Sequence, residues 1–388
     1  MNRPSPPRGG VYFAIAPQLE FASLSDYLPT YMDAYLPERL ALTGATGALG
    51  FAFLQTSFQR NPKLKATLLV RKTSASFQAP EFQAWLHHNA KRVTLIDGDV
   101  RKPEKAHLEA LMGCDGGLWH FAAITALTAE SEAIAREIHA VNLVGTERLL
   151  EAWLSHHDAG SFYHISTAYV VGKRHGRAME TEHAMGQAFR NPYEASKLAA
   201  ELCVQKAFTS GMRGVIFRPS VVVDDQGGTG GIKMVDACAY GVALAVKRKE
   251  PFVFRMKRSA NINLIHSDWV IAAMLDLARL PAGHGKTYHL SSPTDTYFRD
   301  IAAILEKVAP GLKVSFAPEL TRAELPTASK IFDKAVTEIR PYFDADIHFD
   351  RSQTDRDLSA GVKELPLDLA AFVENRLKAE MYRVAHRK

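Results

Sequence analysis

Two tyrosine–lysine pairs with the spacing Tyr-x-x-x-Lys are candidates for acid–base chemistry, Tyr169/Lys173 and Tyr193/Lys197. With 12 tyrosines in the chain the spacing alone decides nothing, so local structure must choose between them. The first pair falls at a strand end with Gly172 intervening, where a four-residue step does not bring side chains together. The second lies in Asn191-Pro192-Tyr193-Glu194-Ala195-Ser196-Lys197. Asn191 suits an N-cap and Pro192 the first helical position, so Tyr193 and Lys197 share one helix face, a turn apart. A phenol, with a pKa near 10, is a poor acid–base group at neutral pH. A neighbouring ammonium favours the phenolate and moves it toward the working range. A hydroxyl that hydrogen-bonds the substrate oxygen completes such a site. Ser166-Thr167 supplies one, at the end of a predicted strand and 26 residues before Tyr193. Together these groups suit proton transfer at a carbonyl or alcohol oxygen.

The second candidate is Thr43-Gly44-Ala45-Thr46-Gly47-Ala48-Leu49-Gly50, which follows a predicted strand and opens a predicted helix. That is the context a dinucleotide turn requires. Gly44 permits the tight turn, Gly47 lets a pyrophosphate approach the backbone, and Gly50 lets the helix pack on the strand. The helix N-terminus offers N–H groups and a positive dipole end to phosphates. Thr43, Gly44, Thr46, Gly47, Ala48 and Leu49 are therefore candidate cofactor contacts. At the end of the second strand, about 20 residues on, an NAD enzyme places an acid for the ribose hydroxyls. This chain reads Leu69-Val70-Arg71-Lys72-Thr73, and no acid is expected within reach. Arg71 can grip a 2′-phosphate and Lys72 adds a point charge, which favours NADPH over NADH.

The elements that must position these groups alternate along the chain. Arg39–Thr43, Ala66–Val70, Val93–Ile96, Gly117–Ala122, Phe162–Ser166 and Val215–Phe217 read as strands. Ala48–Arg60, Glu104–Met112, Glu130–Ser155 and Pro192–Thr209 read as helices. This βαβα pattern predicts an α/β fold, a Rossmann-type doubly wound parallel sheet covered on both faces. The predicted division is an N-terminal tail and aromatic arm over 1–37, a dinucleotide-binding domain over 38–223, and a smaller, mostly helical substrate lobe over 224–388. Within that lobe Met234–Val246 and Trp269–Leu280 read as helices, and Asn263–Ile265 and Thr287–Leu290 as strands. The Gly-rich 224–231 segment reads as a flexible loop.

Composition narrows the class. Apolar residues at 47% and charged residues at 23% of 388 exclude a disordered or fibrous chain. The three cysteines, Cys114, Cys203 and Cys238, lie too far apart for a disulfide framework or zinc site, and read as core residues of a cytoplasmic protein. Net charge is +5, and its densest run, Lys247-Arg248-Lys249, reads as a solvated face, the alternative being a patch for phosphate groups of a ligand or carrier protein. No nucleic-acid module accompanies it. No apolar stretch reaches the ~18 residues of a membrane span. Adjacent histidines, His87-His88 and His156-His157, diverge on a helix and make poor metal pairs, so no metal site is expected.

Taken as an ordered set, these segments resemble the extended short-chain dehydrogenase/reductases. The set is Thr43–Gly50, Gly98-Asp99-Val100, His120-Phe121-Ala122-Ala123, Asn142-Leu143-Val144-Gly145-Thr146, Ser166-Thr167-Ala168-Tyr169, Tyr193 with Lys197, and Arg218-Pro219-Ser220. The resemblance runs from about residue 38 to about residue 300. It implies that Asp99 and Val100 contact the adenine. It also implies that Phe121, Ala122, Ala123 and Thr125 line the cofactor and that Asn142 supports the site. Pro219, Ser220 and Val221 would lie by the nicotinamide, and Ser166, Tyr193 and Lys197 would also touch the dinucleotide.

Three further segments are similar to the fatty acyl-CoA reductase (male sterility) and thioester reductase branch. They are Ser166-Thr167-Ala168-Tyr169-Val170, the loop with Thr229-Gly230-Gly231, and Pro341-Tyr342-Phe343 with His348-Phe349-Asp350. On that likeness Thr167 is the catalytic hydroxyl beside Tyr193 and Lys197. The implied activity is NADPH-dependent reduction of an acyl thioester, on coenzyme A or an acyl carrier protein, to aldehyde or alcohol. The resemblance also implies a homodimer paired through helices 130–155 and 192–209. Two alternatives of the same fold stay open, a dehydrogenase of hydroxy or keto compounds and a nucleotide-sugar epimerase. A third is a non-catalytic nucleotide sensor.

Overall fold

Short apolar runs between helices can bury both their faces only side by side, under helices on each side. The computed structural model describes residues 37–128, 131–156, 160–224, 230–343, 345–363 and 369–386. The expected N-terminal arm, apart from Pro37, and residues 225–229 of the Gly-rich loop lie outside them.

In chain order the first elements are β1 (Arg39–Thr43), α1 (Ala48–Arg60), β2 (Lys65–Val70), α2 (Pro80–His88), β3 (Val93–Asp97), α3 (Lys105–Met112) and β4 (Leu118–His120). Next come α4 (Glu132–His139), a π-helical turn (Ala140–Val144), α5 (Gly145–Leu154), β5 (Phe162–Ile165), β6 (Gly176–Ala178), α6 (Pro192–Thr209), β7 (Gly214–Pro219) and β8 (Val221–Val223). Then follow α7 (Gly230–Arg248), β9 (Phe252–Phe254), β10 (Asn261–Ile262), β11 (Leu264–His266), α8 (Ser267–Ala278), β12 (Thr287–Leu290) and β13 (Thr296–Tyr297). The last are α9 (Phe298–Val308), β14 (Val314–Phe316), α10 (Thr327–Ala335), β15 (Ile347–Phe349), α11 (Ser352–Asp357), α12 (Ala360–Lys363) and α13 (Leu369–His386).

Seven strands form the central sheet in the order β12-β7-β5-β4-β1-β2-β3, and every neighbouring pair is parallel. This is the doubly wound Rossmann arrangement. Strand alternation divides the core: Leu40, Leu42, Trp119, Tyr163 and Phe217 meet α1 and α8 on one face. Ala41, Leu118, Phe162 and Ile216 meet α3, α5 and α6 on the other. The strand order reverses between β1 and β4, which opens a crevice at their C-terminal ends, the position of ligands in such sheets.

Beyond Asp224 a smaller lobe gathers α7, α9, α10 and α13 around Phe252, Phe254, Phe298 and Phe332. Not all of this part of the chain leaves the sheet, since α8 packs with α1 and β12 forms its outer strand. The single helix expected over 130–155 is also corrected: α4 and α5 are separated by the π-helical turn. Gly145 there is packed against Val100, where an added Cβ would lie 2.8 Å from Val100 Cγ2. The wide turn places Asn142 inward, and π-turns concentrate at functional sites for this reason.

Candidate active site

The glycine turn lies at the reversal of strand order. Gly44 takes a φ of +74°, and a Cβ on it would sit 2.4 Å from the Ala122 amide nitrogen. Only glycine lets the loops after β1 and β4 touch in this way. A Cβ on Gly50 would meet the Gly44 carbonyl oxygen at 2.4 Å, so α1 starts in contact with the turn. Gly47 has space around it, its nearest obstacle being Gly44 O at 3.4 Å, and Gly47 and Ala48 are exposed. The first turn of α1 carries no acidic residue and no side-chain cap bond, leaving its positive end available to an anion. A pyrophosphate fits this cradle.

Beneath the turn a directional chain of hydrogen bonds ties β1 to β4 and to α5. The Ala122 N–H donates to Thr43 Oγ1 at 3.4 Å, and Thr43 Oγ1 donates to His120 Nδ1 at 2.7 Å. His120 Nε2 then donates to Thr146 Oγ1 at 2.9 Å, whose own hydrogen goes to Asn142 O at 2.7 Å. Burial, with the Lys197 charge nearby, pushes the His120 imidazole down to about 3, so it is neutral and one tautomer satisfies every partner. Asn142 holds the next loop, accepting from Ile124 N–H at 2.7 Å and donating to Ile124 O at 3.0 Å. It also donates to Ser196 Oγ at 2.9 Å, which links it to the helix of Tyr193. Phe121, Ala122 and Ala123 stay half-buried along the crevice and Thr125 is exposed.

At the far end of β2, Arg71 and Lys72 are exposed. Ser74 and Ser76 join them: Thr46 Oγ1 lies 3.0 Å from Ser76 Oγ, and Ser74 Oγ 3.3 Å from Ser76 Oγ. Sequence reasoning missed these hydroxyls, although Thr73-Ser74-Ala75-Ser76 directly follows the two cations. The expectation of no acid at this corner needs correction. Asp99, at the end of β3, ion-pairs with Arg101 at 2.6 Å and lies 4.0 Å from Arg71. Asp97 accepts from Lys72 N–H at 3.0 Å. Both acids come from the neighbouring strand, which a reading confined to the second strand could not reveal. Val100 is buried against Gly145.

The groups expected to be catalytic stand on the turn after β5 and on α6. Asn191 caps α6 by accepting from Glu194 N–H at 3.0 Å, with Pro192 at the first position. Thr167 caps the short turn Ala168–Val171 and donates to Pro219 O at 3.4 Å. Its hydroxyl lies close enough to the Tyr193 phenol to favour the phenolate. Burial pushes that phenol up to about 12, Thr167 pulling the other way. The expected lowering of the phenol by Lys197 is therefore not the state seen here. Lys197 instead donates to Ile165 O at 2.5 Å, beneath the strand end, and burial brings its ammonium down to about 8. Ser166 donates to Glu201 at 2.8 Å, facing away from Thr167 as strand alternation requires. The other pair separates as expected, with Tyr169 buried edge-on against Tyr342 and Phe349, and Lys173 exposed.

Under this group lies a buried ion pair that the sequence reading did not weigh. Glu201, a further turn along α6, accepts from Arg218 Nε at 3.1 Å and from His183 at 2.8 Å. Neither Glu201 nor Arg218 has any exposed surface. Glu201 falls within the expected helix Pro192–Thr209 and Arg218 within Arg218-Pro219-Ser220, and the spacing 193, 197, 201 on one helix face was the available signal. Pro219, Ser220 and Val221 close the rim, Ser220 N–H donating to Leu290 O and Val221 N–H to Asn263 O.

Comparison with known proteins agrees with this geometry. Over 80 residues the chain is 40% identical to GDP-6-deoxy-D-mannose reductase of Pseudomonas aeruginosa, covering 20% of this chain and 26% of that protein. Over 130 residues it is 35% identical to dTDP-glucose 4,6-dehydratase of an Actinoplanes species, covering 33% and 39%. The chain thus aligns with well under half the length of these curated relatives. Its fold matches the terminal R domain from the myxalamid PKS-NRPS biosynthetic pathway with a TM-score of 0.70 at 21% identity, covering 89% and 91% of the two chains. It matches a thiolation-reductase di-domain from an archaeal non-ribosomal peptide synthetase at 0.63 and 16%, covering 92% and 79%. UDP-glucuronic acid 4-epimerase from Bacillus cereus, in complex with NAD, matches at 0.63 and 18%, covering 89% and 98%. A family model described as male sterility protein matches residues 42–274, which hold the glycine turn, Thr167, Tyr193 and Lys197. With its parallel sheet and dinucleotide crevice, the chain is an extended short-chain dehydrogenase/reductase and belongs to the male sterility protein family.

Proposed function

We propose that this chain is an NADPH-dependent reductase of acyl thioesters, carried on coenzyme A or on an acyl carrier protein, yielding aldehyde or alcohol. The observation that carries the reading is the meeting of the Thr167 hydroxyl with the Tyr193 phenol at the C-terminal edge of the sheet. Thr167 hydrogen-bonds the thioester carbonyl oxygen, and Tyr193 gives that oxygen its proton. Lys197, on the same helix, supplies the positive charge that favours the phenolate once the proton has left. Gly44–Gly50 would cradle the pyrophosphate of NADPH and Arg71, Lys72, Ser74 and Ser76 would serve its 2′-phosphate; the bound dinucleotide would supply a hydride for the carbonyl carbon. The resulting hemithioacetal loses its C–S bond, the thiol leaves with a proton, and an aldehyde remains. A second reduction at the same oxygen site gives the alcohol. The thiolation-reductase neighbour supports a carrier-linked substrate.

The test is NADPH oxidation with a long-chain acyl-CoA and with an acyl-loaded carrier protein, products identified, beside Tyr193→Phe. Thioester-dependent turnover that collapses in the variant is expected. Reduction of ketones or free aldehydes with neither thioester consumed would overturn the substrate. A sugar-nucleotide substrate is the second reading, favoured by the two curated relatives and by Asp99 near Arg71. Conversion of GDP- or dTDP-linked hexoses in the same assay would install it instead.

A further inference from the structure

Two imidazoles lie side by side beneath the crevice, and their surroundings differ. His120 on β4 and His164 on β5 occupy paired positions, with ring centroids 5.5 Å apart, and both are buried. Both nitrogens of His120 are bonded, to Thr43 and to Thr146, and its role is to join strands. His164 has no partner at Nδ1. Its Nε2 lies 3.5 Å from Lys197 Nζ, which donates to Ile165 O at 2.5 Å.

Burial, then the charge of Lys197 and the proximity of His120, hold His164 well below the ordinary imidazole range, so the ring is neutral. A neutral ring facing an ammonium must present a lone pair at Nε2, which puts its hydrogen on Nδ1, where nothing receives it. A leucine would fill much the same volume without stranding a buried donor. Packing alone therefore does not explain an imidazole at this position; its neighbour does.

We propose that His164 is a positioning residue, accepting from the Lys197 ammonium through Nε2 and holding that charge beneath the ribose of a bound dinucleotide. The inference rests on Tyr193 and Lys197 being the acid–base pair. The groups facing Lys197 are His164 from β5, His120 from β4 and Glu201 from its own helix, with Arg218 of β7 paired to Glu201. Burial lowers Lys197 to about 8, Glu201 opposing it. An acceptor at Nε2 works on the side of the ammonium, so its loss moves the titration to lower pH.

The experiment is NADPH and NADH binding, followed by nicotinamide fluorescence from pH 6 to 10, in the full chain and three variants. Wild-type affinity should weaken as pH rises through about 8, where Lys197 loses its charge. In His164→Leu the same weakening should come about one pH unit lower, the worth of one modest charged hydrogen bond. His164→Gln, whose amide reaches the Nε2 position, should follow wild type. His164→Asn, reaching only the Nδ1 position, should follow the leucine variant. A leucine profile superimposed on wild type overturns the proposal. So do Gln and Asn profiles that coincide, a comparison that holds even if the leucine variant does not fold. Binding is read without turnover, so an enzyme that binds NADPH yet reduces no thioester loses its proposed substrate and keeps this role for His164.

Discussion

Asn191 and Tyr342, 151 residues apart, are joined by a 2.8 Å hydrogen bond from Asn191 Nδ2 to the Tyr342 hydroxyl. The same asparagine accepts from Glu194 N–H at 3.0 Å, so one side chain both caps α6 and holds the C-terminal segment. The Glu194 carboxylate lies near the Tyr342 hydroxyl, and the Arg190 guanidinium lies 5.0 Å above its ring. A few residues on, β15 pairs with β6. The smaller lobe thereby fastens the start of the helix that carries Tyr193.

Removing that hydroxyl should loosen the start of α6. Tyr342→Phe leaves Asn191 Nδ2 without its acceptor, at a cost of about 1–2 kcal/mol. Urea unfolding should show this loss, with kcat falling more than dinucleotide affinity because the glycine turn is untouched. Stability equal to wild type would show that the strap does not anchor the helix.

The Glu201–Arg218 pair should govern acid stability. Against the upward push of burial, Arg218 and His183 hold the Glu201 carboxyl at about 2, below its ordinary value of 4.5. A depressed carboxylate contributes stability that is complete above about pH 4.5 and is lost as pH falls toward 2. Glu201→Gln leaves Arg218 buried without a counter-charge, a loss of about 3–5 kcal/mol at neutral pH. The gap between wild type and variant should narrow on acidification through that window. A constant gap from pH 6 to pH 3 would refute the assignment.

Much of this could be read from the chain because local rules and the fold agree. Pro192–Thr209 and Thr287–Leu290 have the same bounds in sequence and structure, one fixed by Asn191 and Pro192, the other by a run buried on both faces. Gly44 and Gly50 were legible because each meets a steric demand, while Gly47 keeps the open space beside the helix start. What escaped depends on contacts between distant segments. The break at Ala140–Val144 is set by Asn142 reaching Ile124 and by Gly145 against Val100, neither of which helical periodicity records. Asp99 beside Arg71, and Lys197 turned to Ile165, follow from strand neighbours and rotamers rather than from spacing.

Cofactor choice is tested at the corner of β2. Arg71→Ser removes the planar cation from beside Thr46, Ser74 and Ser76 while leaving the hydroxyls in place. The KM for NADPH should rise about tenfold or more, the worth of a charge-assisted bond to phosphate, with little change for NADH. Equal effects on both cofactors would mean that Arg71 grips no 2′-phosphate, and Asp99 would become the ribose ligand to test next.

Lys197 sets its proposed role against stability. Its ordinary value of 10.5 falls to about 8 through burial, so at neutral pH the native state carries an ammonium that water would hold more favourably. For a lowered lysine the sign is the reverse of Glu201: the penalty is full below about pH 8 and is relieved as pH rises toward 10.5. That penalty is worth about 3 kcal/mol. Lys197→Met removes it but strands Ile165 O, which returns about 1–2 kcal/mol of the gain. The variant should therefore be more stable than wild type at pH 7 by about 1–2 kcal/mol, with that advantage disappearing by pH 10. Thioester reduction should be lost at every pH. Chemical denaturation at the two pH values is the measurement, and a variant less stable at pH 7 would mean that the buried ammonium supports the fold rather than straining it.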